Sequence, residues 1–353
     1  MESIHRILVI NLMYIGDLLF ATPLLRVLRT SFPNAHITML ADEKNTGVIK
    51  YNKHVSELIA IDKKGHHNKL PNYLRLIADI RKRKFDVVIN LHANERASAI
   101  AAFSGAGQIV GFSAKGFGIF FDCLVKERID IHQADAYLEV LKAMGINISG
   151  KQGLEMWVDE ATEERVDAIW ERAFPACQGP KAQVIGLNTG GSWPTKRWTK
   201  CGFAELADQL LEKGYGIAFF GGPMDVADVE EIVSRMKNGQ HKKLAIFTGK
   251  TSLLEMAALV KKCTVLITGD SGPMHIAVSR DVPVVAVFGP SDPRRYAPYT
   301  QENHVVKFAC DCQPCGKHSC NIGHTCMEKI TVEMILNKLS ELQINNDCYL
   351  PER

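Results

Sequence analysis

Residues 269–279 read GDSGPMHIAVS, set between the apolar runs CTVLIT and VPVVAVFG. A strand, a tight turn of small residues and a helix start are legible there. Proline suits the first turn of a helix, where its missing N–H would be unpaired anyway, so the helix is expected to begin at about Pro273. Asp270 or Ser271 can supply the N-cap, and Gly272 lets a ligand approach the backbone closely. The free N–H groups and the dipole of such a start make an anion site suited to phosphate, with His275 in the same turn. Taken alone, the segment reads equally well as an ordinary capped helix with a satisfied histidine.

Two further loops follow strands. In NTGGSWPTKRW (188–198), Thr189, Gly190, Gly191 and Ser192 can wrap a phosphate with backbone N–H groups, and Lys196 adds a positive charge. A nucleotide-triphosphate P-loop is absent: TGKTS (248–252) would need glycine at position 244, which is Leu244, so ATPase readings fall. The loop NLMYIGDLLFATPLL (11–25) holds one glycine, Gly16, followed by Asp17. A dinucleotide fingerprint, G-x-G-x-x-G, is missing there, which disfavours an NAD-dependent dehydrogenase. Asp17 by itself is an N-cap; across a cleft from a nucleotide site it becomes a candidate general base.

The elements that must position these loops come from the periodicity. Apolar strand runs alternate with helical patterns in both halves of the 353-residue chain, which implies βαβ units and parallel sheets. The chain is long for one core. The expectation is an α/β protein of two doubly wound Rossmann-like domains, 1–175 and 176–353, with a polar helix at 159–173 and a linker at 174–183. In the first half, one helix is expected from about Leu18 to Arg29. Ligands of such sheets sit beyond the C-terminal strand ends at a topological switch, where the loops above lie.

Composition narrows the class. Hydrophobic residues are 46% and charged residues 23%, as in soluble globular proteins. No apolar run is long enough to span a bilayer, and MESIHRILVIN lacks signal-peptide features, so a cytoplasmic protein is expected. A formal net charge of +3 is too balanced to suggest nucleic-acid binding. The charge is uneven, however: residues 63–84 carry eight Lys/Arg against the single acid Asp79. That stretch is either a solvated helix face or a patch for an anionic partner, such as a phosphorylated acceptor or a membrane surface.

Five of the ten cysteines fall in CDCQPCGKHSCNIGHTC (310–326). The spacing Cys312-x2-Cys315-x4-Cys320-x5-Cys326, with His318 and His324 nearby, allows four soft ligands for a structural zinc or iron. Reduced cysteines in a compact loop, or disulfides formed on isolation, account for it as well.

In order along the chain, RILVINLMYIGDLLFATPLLRVLR, GGSWPTKRWT, GDSGPMHIAVSRDVPVVAVFGPSDPRR and CQPCGKHSCNIGHTCM resemble glycosyltransferase family 9, the ADP-heptose:lipopolysaccharide heptosyltransferases. LHANERASAIAAFSGAGQIVGF (91–112) is similar to the type II and III branch. The resemblance implies a glycosyltransferase-B fold, with an N-terminal acceptor domain and a C-terminal nucleotide-sugar domain facing across a cleft. It also implies a single inverting displacement that requires no cofactor or metal. Matched by position, Asp17 is the base and Lys196 meets the donor diphosphate. Asp270, Ser271 and Gly272 contact the donor sugar and phosphates, with Pro273 and His275 beside them. Thr251 lies against the nucleoside, and Asp225, or else Glu231, binds ribose. The partners implied are ADP-heptose and a lipid-linked, phosphorylated oligosaccharide, with Lys63, Lys64, Arg96 and Lys115 as acceptor contacts at the inner-membrane surface. Two other readings remain open here: a glycosyltransferase using another nucleotide sugar, and a non-catalytic two-domain binding protein in which Asp17 is only a cap.

Overall fold

The computed structural model describes residues 4–114, 116–150, 152–175, 183–301 and 304–342. Two six-stranded sheets result. The first is built from β1 (Arg6–Asn11), β2 (His36–Asp42), β3 (Glu57–Ile61), β4 (Val87–Asn90), β5 (Gln108–Gly111) and β6 (Cys123–Leu124), in the spatial order β3-β2-β1-β4-β5-β6. The second holds β7 (Val184–Asn188), β8 (Gly216–Phe220), β9 (Leu244–Ile246), β10 (Val265–Gly269), β11 (Val284–Phe288) and β12 (Val305–Lys307), in the order β12-β11-β10-β7-β8-β9. Every neighbouring pair is parallel. Counted from its own first strand, each sheet has the doubly wound order 3-2-1-4-5-6.

Helices on both faces exclude water from the central strands, so these read as unbroken apolar runs rather than alternating ones. Ile7, Leu8, Val9 and Ile10 of β1 are fully buried, as are Val265, Leu266 and Ile267 of β10. The order reverses between β1 and β4 in one sheet and between β7 and β10 in the other. The loops read above as chemical, after β1, β7 and β10, therefore leave the sheets at their two switch points.

The chain divides into compact units 1–157 and 158–353, whereas the periodicity and the linker reading put the boundary at 175/176. The helix Glu160–Ala173 belongs to the second unit because its polar side is spent on partners there. Arg280 pairs with Glu163 at 2.6 Å, Arg165 with Glu255 at 3.7 Å, and Lys262 with Asp167. Trp170 stacks near Phe247 at 6.4 Å. Most of the supposed linker lies outside the described residues.

The helix expected over 18–29 is two, Ile15–Phe20 and Thr22–Ser31, with Ala21 ending one and capping the next. Pro23 explains the break. It cannot donate an N–H, and its ring crowds the preceding turn, so it is accommodated only in the first turn of a new helix.

Candidate active site

In the second unit the site is built outward from β7 and β10. Asn188 and Thr268 are register partners at the ends of these strands, and both are buried. Asn188 Nδ2 donates to Thr268 Oγ1 (2.9 Å), Ser271 Oγ (3.1 Å) and Gly190 O (3.3 Å), and the Thr268 and Ser271 hydroxyls are 3.0 Å apart. Ser271 is the N-cap of the helix Gly272–Ser279, but its hydroxyl is committed to the sheet and makes no cap bond. The helix starts one residue earlier than expected, with Pro273 second. Its first turn is therefore not closed by a side chain, which suits an incoming anion. His275 is buried in that turn.

Asp270 and Lys196 form an ion pair at 2.6 Å, with side chains only 8% and 14% exposed. A Cβ on Gly269 would lie 2.8 Å from Lys196 O, so glycine is required for the Lys196 turn to rest on the end of β10. The Lys196 ammonium also lies over the Trp193 ring, 4.4 Å from its centroid. This cation is held by a carboxylate and a π-face at the mouth of the switch point.

Asp225 is likewise buried. Its Oδ2 accepts from Gly222 N–H at 2.9 Å and its Oδ1 pairs with Arg197 Nη2 at 3.2 Å. Arg197 also donates to Gly191 O (3.2 Å) and pairs with Asp228. Burial pushes the Asp228 carboxyl upward, but Lys200 and Arg197 together hold it below the ordinary range. Gly190 packs directly on Asp225: a Cβ there would be 2.5 Å from Oδ2. Glu231, the other candidate for ribose, is instead occupied by Lys200 and Arg235 on the exposed side of the same network. Thr251 immediately precedes Ser252, the N-cap of the helix Leu253–Lys261. Buried Thr248 lies deeper, with its methyl against Gly221 alongside Asp225.

The first unit repeats the device. Asn11, buried at the end of β1, accepts from Met13 N–H (3.1 Å) and donates to Asp17 O (3.1 Å). Asp17 is the third residue of the helix Ile15–Phe20, and its Oδ2 accepts from Tyr14 N–H at 3.3 Å. Beside this loop Lys63 Nζ donates to Leu12 O (2.7 Å) and pairs with Asp42 (2.9 Å). Arg96 donates to Lys63 O (2.6 Å) and to Asn68 Oδ1 (2.8 Å). His92, just beyond β4, has its pKa pushed down to about 4 by burial and then by Lys63. The structure therefore gathers Lys63, Arg96 and His92 around the Asp17 loop. Lys64 contributes a backbone N–H to Asp62 (3.3 Å), and Lys115 lies outside the described residues.

Residues 73–325 match the family described as glycosyltransferase family 9 (heptosyltransferase). The chain belongs to glycosyltransferase family 9. It is an enzyme, a heptosyltransferase by family, with the two Rossmann-like domains of the glycosyltransferase-B class. It is 24% identical over 350 residues to lipopolysaccharide heptosyltransferase 2 of Escherichia coli strain K12, covering 97% of this chain and 100% of that protein. A glycosyltransferase family 9 structure from Veillonella parvula superposes with a TM-score of 0.84 at 34% identity, over 96% of this chain and 97% of that one. The fold is shared with E. coli ADP-heptose lipopolysaccharide heptosyltransferase II, TM-score 0.77 at 22% identity, over 96% and 98% of the two chains.

The cysteine-rich segment of this glycosyltransferase lines a hollow that takes in Cys310, Cys312, Cys315, Cys320 and Cys326 together with His318 and His324. Among the described residues, no three His, Cys, Asp or Glu side chains converge as metal ligands, Cys312, Cys315, Cys320 and Cys326 included. Cys312 and Cys320 face solvent, whereas Cys326 is buried, its Sγ 3.3 Å from where a Cβ on Gly289 would stand. Burial, then the neighbouring thiols, push the Cys326 pKa up to about 11.

The sequence also left Arg197, Trp193, Asn188 and Thr248 without a role. Arg197 stood inside the TKRW motif beside Lys196. Its carboxylate partners follow a different strand, so spacing alone could not announce the pair.

Proposed function

We propose that this family 9 enzyme transfers heptose from ADP-heptose to the lipopolysaccharide inner core by a single inverting displacement. The observation that carries the reading is the shielded Lys196–Asp270 pair beside the uncapped start of Gly272–Ser279, at the switch point of the second sheet. The names of the relatives, lipopolysaccharide heptosyltransferases of E. coli, support the donor and acceptor classes. In this reading an acceptor hydroxyl oxygen attacks the anomeric carbon of the sugar. The bond from that carbon to the phosphate oxygen breaks, ADP departs with the electron pair, and the hydroxyl proton passes to the Asp17 carboxylate.

Each group has a task in this scheme. Negative charge grows on the departing diphosphate, and Lys196 with the N–H groups of the helix start neutralises it. Preorganised donors of this kind contribute about 3–4 kcal/mol each in other enzymes, against ~0.3–1 kcal/mol for an exposed helix terminus, so the lysine and specific N–H contacts dominate. Asp270 borders the sugar, where its acceptor oxygens suit hydroxyls. Thr189, Gly190, Gly191 and Ser192 approach the phosphates, Asp225 takes the ribose hydroxyls, and Thr251 borders the nucleoside. The N-terminal unit takes the acceptor, with Lys63, Lys64 and Arg96 facing its phosphates. No cofactor enters the scheme.

The deciding measurement is ADP release from ADP-heptose with a heptose-deficient core acceptor, compared with other nucleotide sugars. Acceptor-dependent release from ADP-heptose alone is expected, with Asp17→Ala slowed by ~10²–10⁴ while ADP binding is retained. Near-normal turnover in Asp17→Ala would remove the base, and equal use of UDP- or GDP-sugars would remove the donor assignment.

A lipid-linked acceptor places the first unit at a membrane surface, and its exterior suits that. Among the described residues, no helix is long and apolar enough to cross a bilayer. Phe103 contacts Phe117 and Phe120 (ring centroids 6.3 and 5.5 Å), and Ile119 beside them is 84% exposed. The helix Leu70–Lys82 exposes Leu70 and Leu74, one turn apart, and Leu70 shares a hollow with Phe117 and Arg96. Apolar tips rimmed by Lys69, Arg75 and Arg81 fit an anionic lipid surface. Binding to anionic vesicles should weaken as salt rises, and Ile119→Ser with Phe120→Ser should remove what salt leaves. Equal binding to neutral and anionic vesicles at every salt concentration would reject this partner.

A further inference from the structure

The segment 310–326 is the sequence feature that the transfer chemistry leaves unused, and it lies against the turn that carries Lys196. Thr195 Oγ1 donates to Lys317 O at 2.7 Å. His324 Nε2 is 2.7 Å from Thr195 O, and since a carbonyl can only accept, that nitrogen carries the proton. His324 holds left-handed backbone angles (φ 53°, ψ 31°), an uncommon state for a side-chain-bearing residue. Most directly, the His318 ring stacks on Trp193 with centroids 3.7 Å apart and planes 25° from parallel. Trp193 in turn presents a ring to the Lys196 ammonium at 4.4 Å.

The other side of the segment is anchored independently. Cys315 N–H and Gly316 N–H both donate to Pro290 O (3.1 and 2.9 Å), and Gln313 Nε2 donates to Gly289 O at 2.7 Å. The segment thus spans from the loop after β11 to the loop after β7. Trp193, only partly buried, would otherwise be free to rotate and take its π-face away from the lysine.

We infer that the Cys-rich segment is a positioning strap for Lys196, with His318 acting through Trp193 and His324 acting through Thr195. Neither histidine needs to touch the donor. The strap fixes the ammonium where a nucleoside diphosphate lands, so its effect is on donor affinity and not on acceptor affinity. This rests on the reading that Lys196 meets the diphosphate.

The test uses the full chain and ADP as the probe, in titration calorimetry, with steady-state kinetics alongside. His318 is exposed, so its replacement leaves the core intact. His318→Ala should weaken ADP binding about 5–10-fold, the scale of a partly desolvated cation–π contact. The donor KM should rise in step and the acceptor KM should not move. His318→Phe, which restores a stacking ring, should return ADP affinity to within about twofold of wild type by keeping that contact. His324→Ala should act in the same direction, with His324→Gln recovering through its amide donor. In a Lys196→Ala background, His318→Ala should add nothing further, because the lysine it positions is gone. Unchanged ADP affinity in His318→Ala, failure of His318→Phe to rescue, or the same loss in the Lys196→Ala background would each overturn the strap. If Lys196→Ala itself binds ADP normally, the diphosphate role beneath it fails, and the strap falls with it.

Discussion

Lys196 and Asp270 are each other's main compensation for losing water, so neither can be removed cleanly. Breaking a shielded pair strands the survivor, whereas removing both does not. Lys196→Ala is therefore expected to cost about 1–3 kcal/mol of stability, below the full cost of a deeply buried pair because some solvent reaches both groups. The double variant Lys196→Ala/Asp270→Ala should recover part of that in urea titrations while remaining inactive. A double variant less stable than either single one would show that the pair is held for something other than mutual neutralisation. His92 makes a second statement at this scale. It stays neutral in the fold down to about pH 4, whereas an unfolded imidazole takes up its proton near 6.5. The unfolded chain thus binds more protons between those values, so stability present above pH 6.5 is lost as pH falls toward 4. The ceiling on that loss is about 3 kcal/mol. His92→Gln should flatten the stability profile across that window, and a profile identical to wild type would remove His92 as its source.

At the scale of the elements, each switch point is closed by an asparagine at a strand end: Asn11 ties the Asp17 loop and Asn188 ties the Ser271 turn. Backbone space is the companion constraint. A methyl at Gly190 would sit 2.5 Å from Asp225 Oδ2, displacing the carboxylate from Gly222 N–H and Arg197. Gly190→Ala is expected to weaken ADP binding by at least about tenfold, on the scale of one lost charge-assisted hydrogen bond. Exposed Ser340→Ala, on the helix Val332–Glu341 outside the assigned donor loops, serves as the control. Equal affinities in the two variants would detach Asp225 from the donor site. Much of this scaffolding was legible beforehand. Buried parallel strands announce themselves as apolar runs, and small residues between a strand and a helix mark the loops, so the turns at 11–17, 188–198 and 269–275 are legible from spacing. Long-range commitments were not legible. The Ser271 hydroxyl turns to Asn188 and leaves the cap open, Arg197 reaches acids that follow another strand, and Lys63 is engaged by Asp42. Nor does the spacing of Cys312, Cys315, Cys320 and Cys326 reveal that Cys326 is buried against Gly289 while Cys312 and Cys320 are exposed.

For the whole molecule, the division after Trp157 separates the two sites onto units that each carry their own sheet. The second unit holds a continuous apolar core from Ile185 through Phe219, Val265 and Val287 to Leu339. The helix Glu160–Ala173 is pinned to it by Glu163, Arg165 and Asp167, which is why a cut at 175/176 would strand three ion pairs and the Trp170 contact. A fragment of residues 158–353 is therefore expected to fold cooperatively, whereas one beginning at residue 176 should be less stable. Every residue assigned to the donor lies within 158–353, from Thr189 to His275. If those contacts account for donor recognition, the 158–353 fragment should bind ADP within about tenfold of the full chain, a loss of ~1.4 kcal/mol or less. The fragment should release no ADP from ADP-heptose when acceptor is added, because the proposed base, Asp17, is absent. Calorimetry on the fragment separates the cases: a folded fragment that does not bind ADP would mean that the first unit supplies a group to the donor. In that event the assignment of one ligand to each switch point would have to be given up.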